Sequence, residues 1–443
     1  MSVSDLPELA AVETGVGGVR IPPDVTVPLT PRVRRLLDTA ELRRLARISQ
    51  LGLVALVYPG AVHTRLEHSL GAYRLALEFL RRLARDDRFV AVVGEADASA
   101  FVAAALLHDV GHWPYCHPIE DLGLPELPRH ESLVPAIVSQ GDMAAVLADD
   151  WGLAPARVAE LITGTATDPA AGILETLLSG PIDIDKMDYL ARDSLHAGVP
   201  YGRHFDQERL LSALCLDAAG RSLAITDKGR TAAELMVFAR YVMFSEVYWH
   251  HAVRAATAML HRAVWVVRER LDPPRLVRQD DAAFHAWLTA AAAGTAAEPL
   301  VAGLFGPTRR LLKRAATFDA VRHPEIHAAV AGRGYPEMVE CSRRLAAALS
   351  RRLRIPVDPD TLLVDAPPAA REVEFRIDVR GRSAPGAAEW HTLAELSPVV
   401  RSLAHRQFDE LVKRVRLFAD PDTAAAIAAC PDLEAVVRDA VAP

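Results

Sequence analysis

DASAFVAAALLHDVGH, residues 97–112, is a run of Ala, Val, Leu and Phe broken near its end by adjacent His108 and Asp109. Such a run reads as a buried helix, with Asp97 or Ser99 available as its N-cap. A carboxylate left unpaired in that apolar setting is costly, so it must be neutralised or compensated. A divalent cation compensates it directly, and imidazole beside carboxylate is ligand chemistry for manganese, iron or zinc. A buried His-Asp pair also occurs as a plain structural hydrogen bond, and the dipeptide alone does not separate the two readings.

Outward from this run the helical period continues. RLEHSLGAYRLALEFLRRLA (65–84) reads as a long amphipathic helix, and TPRVRRLLDTAELRRLARISQLGLV (30–54) as two helices meeting at Asp38-Thr39. Further helices are expected over 131–150, 155–164, 170–179, 184–196, 206–215, 228–270, 280–292, 307–315 and 336–352. Toward the C-terminus TLLVDA (361–366) and REVEFRIDVRG (371–381) alternate apolar and polar residues, which suggests two strands of one small sheet before helices resume near Leu393 and Pro421. GGVRIPPDVTVPLTP (17–31) reads as an extended arm or short strand lying outside the core. The expected fold is an all-α helical bundle with a small α+β C-terminal appendage. Its parts are an arm (1–30), a helical core (31–270), a helical extension (271–352) and the α+β region (353–443).

Composition narrows the function classes. With 51% apolar residues among 443, the chain can bury a large core without disulfides or structural metals. The net charge of -7 gives no general attraction to nucleic acid or to an anionic membrane, so neither is expected as a partner. Cys116, Cys215, Cys341 and Cys430 are scattered with no CxxC pair, which suits a reducing cytoplasm. The N-terminal residues are acidic, with no basic-then-apolar leader pattern, and no later stretch offers a membrane span, so a cytoplasmic protein is expected. Gly71, Gly111 and Gly198 build neither GxGxxG nor GxxxxGK, which excludes a P-loop or dinucleotide-binding reading.

Six of the 16 histidines fall between positions 63 and 130: His63, His68, His108, His112, His117 and His130. Around them RLEHSLG (65–71), LLHDVGHWPYCH (106–117) and DIDKMDYLARD (183–193) follow in order. DTAELRRLARISQLG (38–52) precedes them and VYWHHAVRA (247–255) comes after. This series resembles the HD phosphohydrolases, specifically the deoxynucleoside triphosphate triphosphohydrolases, well over residues 30–270 and more weakly in the tail. The resemblance implies an all-helical bundle and one divalent transition metal per chain (Mn, Fe, Mg, Ni or Zn) held by His68, His108, Asp109 and Asp185. Two neutral imidazoles and two carboxylates leave a divalent ion electrically neutral, with positions for water and a phosphate oxygen.

The resemblance also implies that Arg65, His112, Lys186, Tyr189 and Arg240 contact a triphosphate. Lone basic residues on helices are otherwise commonly solvated. Gln50 and Asp193 would hydrogen-bond a 3′-hydroxyl, and Leu51 and Tyr248 would crowd a 2′-hydroxyl. A Leu or Tyr on a helix is otherwise simply core. His130, in RHES, matches the general acid that protonates the leaving sugar oxygen. It could also be an ordinary residue at a helix start. His117 and Glu120 stand one helical turn apart, so an imidazole–carboxylate bond between them is expected, with Glu120 where the family has Asp.

The implied activity is hydrolysis of a deoxynucleoside triphosphate to deoxynucleoside and triphosphate, in a homo-oligomer, dimer or tetramer. Two alternatives remain: an HD phosphohydrolase acting on a monophosphate, cyclic or modified nucleotide, and a nucleotide sensor without turnover. Members of the resembled family use a guanine-nucleotide activator site. Arg43 and Ala46 stand where that site has a Gln and an Arg, so activity without GTP or dGTP is expected.

Overall fold

Thr64 opens the long helix Arg65–Leu83: its backbone is extended and its hydroxyl oxygen accepts a hydrogen bond from Glu67 N at 3.4 Å. In this computed structural model, which describes residues 3–15, 17–367, 376–381, 389–403 and 412–442, that helix is central. It packs against Glu95–Leu107 on one side and Ile184–His196 on another. Ala98 through Leu107 are all buried, as the apolar run predicts. The helix starts earlier than expected, with Gly94 as N-cap and Asp97 accepting from Gly94 N at 3.4 Å. Asp97 therefore works from inside the first turn, where it also takes Arg157 at 2.8 Å, and Ser99 is buried in the helix body.

Helices form at most of the expected places, among them Pro155–Thr163, Pro169–Ser179, Ile184–His196, Asp281–Ala292 and Tyr335–Leu353. Two expected helices divide. The 131–150 segment becomes His130–Val138 and Gly141–Asp149, because Gly141 adopts a positive φ of 59°. The 228–270 segment becomes Arg230–Met243, a π-helical turn Phe244–Tyr248, and His251–Val267. Trp249 N bonds Phe244 O at 2.8 Å across that turn, which re-aims Tyr248 relative to a continuous α-helix.

Three expectations are corrected. The N-terminal arm is part of the core: Val3, Leu6, Ile21 and Val27 are buried. The short strands Gly18–Ile21 and Val25–Pro28 form a hairpin there, and the Tyr73 hydroxyl donates to Pro28 O at 3.0 Å. Apolar side chains at alternate arm positions cover a face of the Arg65–Leu83 helix that would otherwise meet water. The 307–315 helix is absent, and Lys313–Phe318 is instead a strand paired antiparallel with Val415–Ala419, a partner about a hundred residues away that local periodicity does not reveal.

The two expected tail strands do form, as Leu363–Asp365 and Asp378–Arg380, but they enter different sheets. The first pairs with Val415–Ala419. The second lies between Leu223–Thr226 and Trp390–Thr392, so the tail completes a sheet begun by the Leu214–Leu216 hairpin of the core. Positions 371–375 of the second expected strand lie outside the described residues. Among the described residues no helix is long and apolar enough to cross a membrane.

Candidate functional site

His108 is the C-cap of the buried Glu95–Leu107 helix, so the His-Asp pair sits at the negative end of that helix's dipole, where a cation is favoured. His68 lies one turn into the Arg65–Leu83 helix, and Asp185 lies in the first turn of Ile184–His196. The three helices bring His68, His108 and Asp185 together, with one ligand atom of each within 4.8 Å of the others. His68 Nε2 is 3.0 Å from His108 Nε2 and 3.0 Å from Asp185 Oδ1. Asp109 Oδ1 stands 3.5 Å from His108 Nε2, and its Oδ2 accepts from Arg65 at 2.9 Å.

The donor set fits a divalent cation. His68 Nδ1 is bonded to Asp188 Oδ2 at 2.8 Å, and His108 Nδ1 donates to Ala105 O at 2.9 Å. Both rings therefore carry their Nδ1 proton outward and present Nε2 to a common point, an arrangement that a shared cation stabilises. Burial pushes the His68 pKa down, but the hydrogen bonds to Asp185 and Asp188 outweigh it and hold the imidazolium well above its usual range. A divalent ion would take the place of that proton. Asp109 is pushed up by burial, yet His112, Arg65, His108 and His68 together keep it well below the usual carboxylate range.

Two glycines of the motifs permit this convergence. A Cβ at Gly71 would lie 1.9 Å from Asp188 Oδ1, so the Asp188 helix can approach the His68 helix only because residue 71 has no side chain. A Cβ at Gly111 would lie 2.2 Å from His130 O, so the same argument brings the His130 helix against the His108 loop. Arg44 anchors that loop by donating to Val110 O at 2.9 Å and His112 O at 2.7 Å.

Beyond the candidate metal ligands three histidines form a cluster. His112 Nε2 is 3.2 Å from His117 Nε2, and the His112 and His130 rings lie 3.9 Å apart. Burial and the Arg65 charge push the His112 pKa well below its usual value, which keeps that ring neutral. The expected His117–Glu120 pair is corrected: Glu120 Oε1 accepts from both the backbone N of His130 at 2.7 Å and its Nδ1 at 3.0 Å. His117 faces His112 instead, because the short Cys116–Glu120 helix turns Glu120 toward the start of His130–Val138. Burial pushes the Glu120 carboxyl up, but the hydrogen bonds from His130 prevail and hold it below its usual value.

A second group forms around Asp193. Its Oδ1 meets His63 Nε2 at 2.8 Å, and its Oδ2 accepts from the Tyr248 hydroxyl at 2.6 Å. Gln50 N donates to His63 O at 3.0 Å, which sets Gln50 and Leu51 beside this pair, and the buried Gln50 Oε1 has no protein partner among the described residues. Tyr189 and Tyr248 both feel the Arg240 charge, and Arg240 lies over the Phe244 ring at 5.6 Å. Lys186 is held within its own helix start, donating to Asp183 Oδ2 at 2.6 Å and Gly180 O at 3.1 Å, so a phosphate would have to compete for it.

Several participants went unassigned in the sequence reading. Asp188 orients His68; its signal was its position one turn after Asp185 on the same helix face. Arg192 binds Asp188 at 2.7 and 2.8 Å and Glu67 at 2.7 Å, while Glu67 also takes His196 at 2.8 Å. The His196 ring stacks on His63 at 4.3 Å, so the His68 and Asp193 groups are joined through one buried network. Its members come from distant stretches of sequence, and no local pattern pairs them.

A helical core that gathers His68, His108 and Asp185 onto one point, with Asp109 beside His108, defines a protein of the HD class with a candidate metal site. The chain matches the HD domain over residues 65–193 and the HD associated region over 205–430, and it belongs to the HD domain family. It is 37% identical over 234 residues to the uncharacterized protein YwfO of Bacillus subtilis, covering 52% of this chain and 51% of that one. It is 31% identical over 211 residues to the deoxynucleoside triphosphate triphosphohydrolase SAMHD1 of Bos taurus, covering 41% of this chain and 35% of that one. The chain thus spans about half or less of the curated relatives it matches. A crystal structure of a hypothetical protein from Aquifex aeolicus shares the fold over 93% of this chain and 98% of that one, at a TM-score of 0.69 and 24% identity.

Proposed function

We propose that this protein hydrolyses deoxynucleoside triphosphates to deoxynucleoside and triphosphate, with a divalent transition metal held by His68, His108, Asp109 and Asp185. The observation that carries the reading is the gathering of two groups around the His68 cluster: the His130–Glu120 dyad, whose ring packs on His112, and Asp193 with Tyr248, joined to His68 through the buried network. The similarity to SAMHD1 supports the same substrate class.

When bound, the metal supplies Lewis-acid polarisation of phosphate and a water of lowered pKa. The chain's own residues do the rest. Arg65 offers N–H donors to phosphate oxygens, with Tyr189 and Arg240 on the other side; neutral His112 spends its one N–H on Asp109 O at 3.2 Å and packs beside them. Glu120 fixes the Nδ1 proton of His130, so Nε2 is the atom that carries a proton to the leaving 5′ oxygen. Asp193 accepts from the 3′-hydroxyl, and Tyr248 with Leu51 occupies the space a 2′-hydroxyl would need. Assembly as a homo-oligomer in the cytoplasm belongs to this reading.

The test is a panel of deoxy- and ribonucleoside triphosphates with each of several divalent metals, read by phosphate product. Release of intact triphosphate from a deoxynucleotide is the expected result. Orthophosphate would point to a terminal or monoester substrate, and absence of turnover on every nucleotide and metal would overturn the assignment.

A further inference from the structure

Next to the Cys116–Glu120 helix, between the His251–Val267 helix, the strand Leu363–Asp365 and the Tyr335–Leu353 helix, lies a cavity of about 80 Å³. Arg254, His261 and Arg262 line it and are only 9%, 7% and 2% exposed. Such a lining is unusual for a space that nothing in the His68 chemistry uses.

The charges around it do not balance. Asp365 takes Arg254 at 2.5 and 3.1 Å and stands 4.0 Å from Arg416, and Asp360 takes Arg262 at 3.2 Å. On the wall itself three guanidiniums, Arg254, Arg262 and Arg333, face two carboxylates, Asp121 and Asp365, while Arg416 and Asp360 pair with wall residues from behind. Burial lowers Arg416 to about 10, the mark of a cation short of compensation.

Two buried atoms of the cavity's lining residues lack a hydrogen-bond partner among the described residues, His261 Nε2 and Arg262 Nε. Burial and the Arg254 charge push His261 down to about 4, and its other ring nitrogen bonds the Pro118 backbone. A carbonyl can only accept, so that nitrogen carries the proton and Nε2 turns a lone pair to the cavity. Beside the Asp121 and Asp365 carboxylates the space thus offers guanidinium donors and one neutral acceptor, His261 Nε2. Water needs only about 10–15 Å³ of such volume, so the cavity has room for an occupant larger than a single water.

We propose that this cavity binds one protonated tetrahedral oxyanion of the hydrogenphosphate type, its charge taken by Arg254, Arg262 and Arg333 and its P–O–H donated to His261 Nε2. Sulfate has the charge but not the proton, so it binds more weakly. Because His261 also holds Pro118, the occupant sits one side chain from the helix that carries His117 and Glu120.

Arsenate, protonated like phosphate and visible by anomalous scattering, is the probe for crystals of the whole chain. An arsenic peak within hydrogen-bond distance of Arg262 and His261 Nε2 is expected. Water alone in the cavity, or arsenate only beside His68 and Asp185, would overturn the proposal. In solution, phosphate at several times its Kd should raise the melting midpoint by about 2 °C more than sulfate at equal ionic strength. Adenosine monophosphate should not reproduce that gain, and if it does the site belongs to a nucleotide phosphate instead. The Ala258→Leu variant, which fills the cavity without touching a charge, should abolish the phosphate advantage; an undiminished advantage also overturns the proposal. Should that variant fail to fold, the arsenate map decides.

Discussion

Glu120 accepts two hydrogen bonds from His130, one from its backbone N at 2.7 Å and one from its ring Nδ1 at 3.0 Å. The two hydrogen bonds tie the ring to the helix start that carries it, fix the tautomer and leave Nε2, 3.4 Å from Glu131 Oε1, as the working end.

Replacement of His130 by Ala is therefore expected to lower turnover by about 10²–10⁴-fold with KM nearly unchanged. Glu120→Gln should act in the same direction but less, since an amide still accepts from Nδ1 while losing the charge. Steady-state rates on a deoxynucleoside triphosphate measure both. An unaltered turnover number in His130→Ala would remove this residue from the chemistry.

Asp188 reaches His68 Nδ1 at 2.8 Å and is itself held by Arg192. Asp188→Asn keeps the shape but loosens the orientation and basicity of the ring. Metal affinity should fall by about 10–100-fold, as for other partners of metal-binding histidines. Chelator competition reads this without reference to catalysis, and equal affinity in wild type and variant would refute the role.

Tyr248 donates to Asp193 at 2.6 Å from the π-helical turn, so it both holds the proposed 3′-hydroxyl acceptor and occupies space near it. The double variant Tyr248→Ala, Leu51→Ala should accept ribonucleotides better relative to deoxynucleotides. Competition between dATP and ATP measures the ratio. If ribonucleotides remain excluded to the same degree, the discrimination lies elsewhere.

His261, held at about 4 by burial and by Arg254, links stability to pH. The unfolded chain protonates this ring near the ordinary His value of about 6.5, whereas the folded chain resists until about pH 4. Between those values the unfolded state binds more protons, so the ring's contribution to stability is complete above pH 6.5, falls as pH falls, and levels off below pH 4. The slope is at most about 1.4 kcal/mol per pH unit for one group. Urea unfolding in chloride buffers should show a shallower decline over this window for His261→Gln. Parallel curves would dismiss the linkage.

Arg43 is exposed, and Ala46 is the C-cap of the Ala40–Leu45 helix, where no side-chain donor for a phosphate exists. The rate on a single deoxynucleoside triphosphate is expected to be the same with and without GTP. A rise of about tenfold, the size of an ordinary allosteric coupling, together with ligand-driven assembly would contradict this.

Much of the candidate site was legible in one dimension because its residues carry local signatures. His108 and Asp109 stand out as polar residues in an apolar helix, and Asp185 and His68 sit in motifs whose glycines and caps mark helix positions. The helix Ile184–His196 coincides with the expected 184–196 for the same reason: Asp183 caps it and its apolar residues keep the helical period.

Other features depend on contacts between parts of the chain that are far apart, and the sequence alone does not rank such contacts. Whether Glu120 serves His117 or His130 was settled by where the His130 helix packs, which in turn depends on Gly111 having no Cβ. The 307–315 segment looked helical by local period, yet its end enters the strand Lys313–Phe318 because Val415–Ala419 lies beside it. The arm of residues 17–31 looked like surface and is core because the Arg65–Leu83 helix has an apolar face to cover. From the sequence alone came the bundle and the family resemblance, with the proposed metal-ligand set that the resemblance implies, since caps, periodicity and motif chemistry are encoded within a few residues. Pairing, orientation and the network from His68 through Asp188, Arg192, Glu67, His196 and His63 to Asp193 were decided only in the tertiary structure, because burial creates those hydrogen bonds between side chains that sequence distance keeps apart.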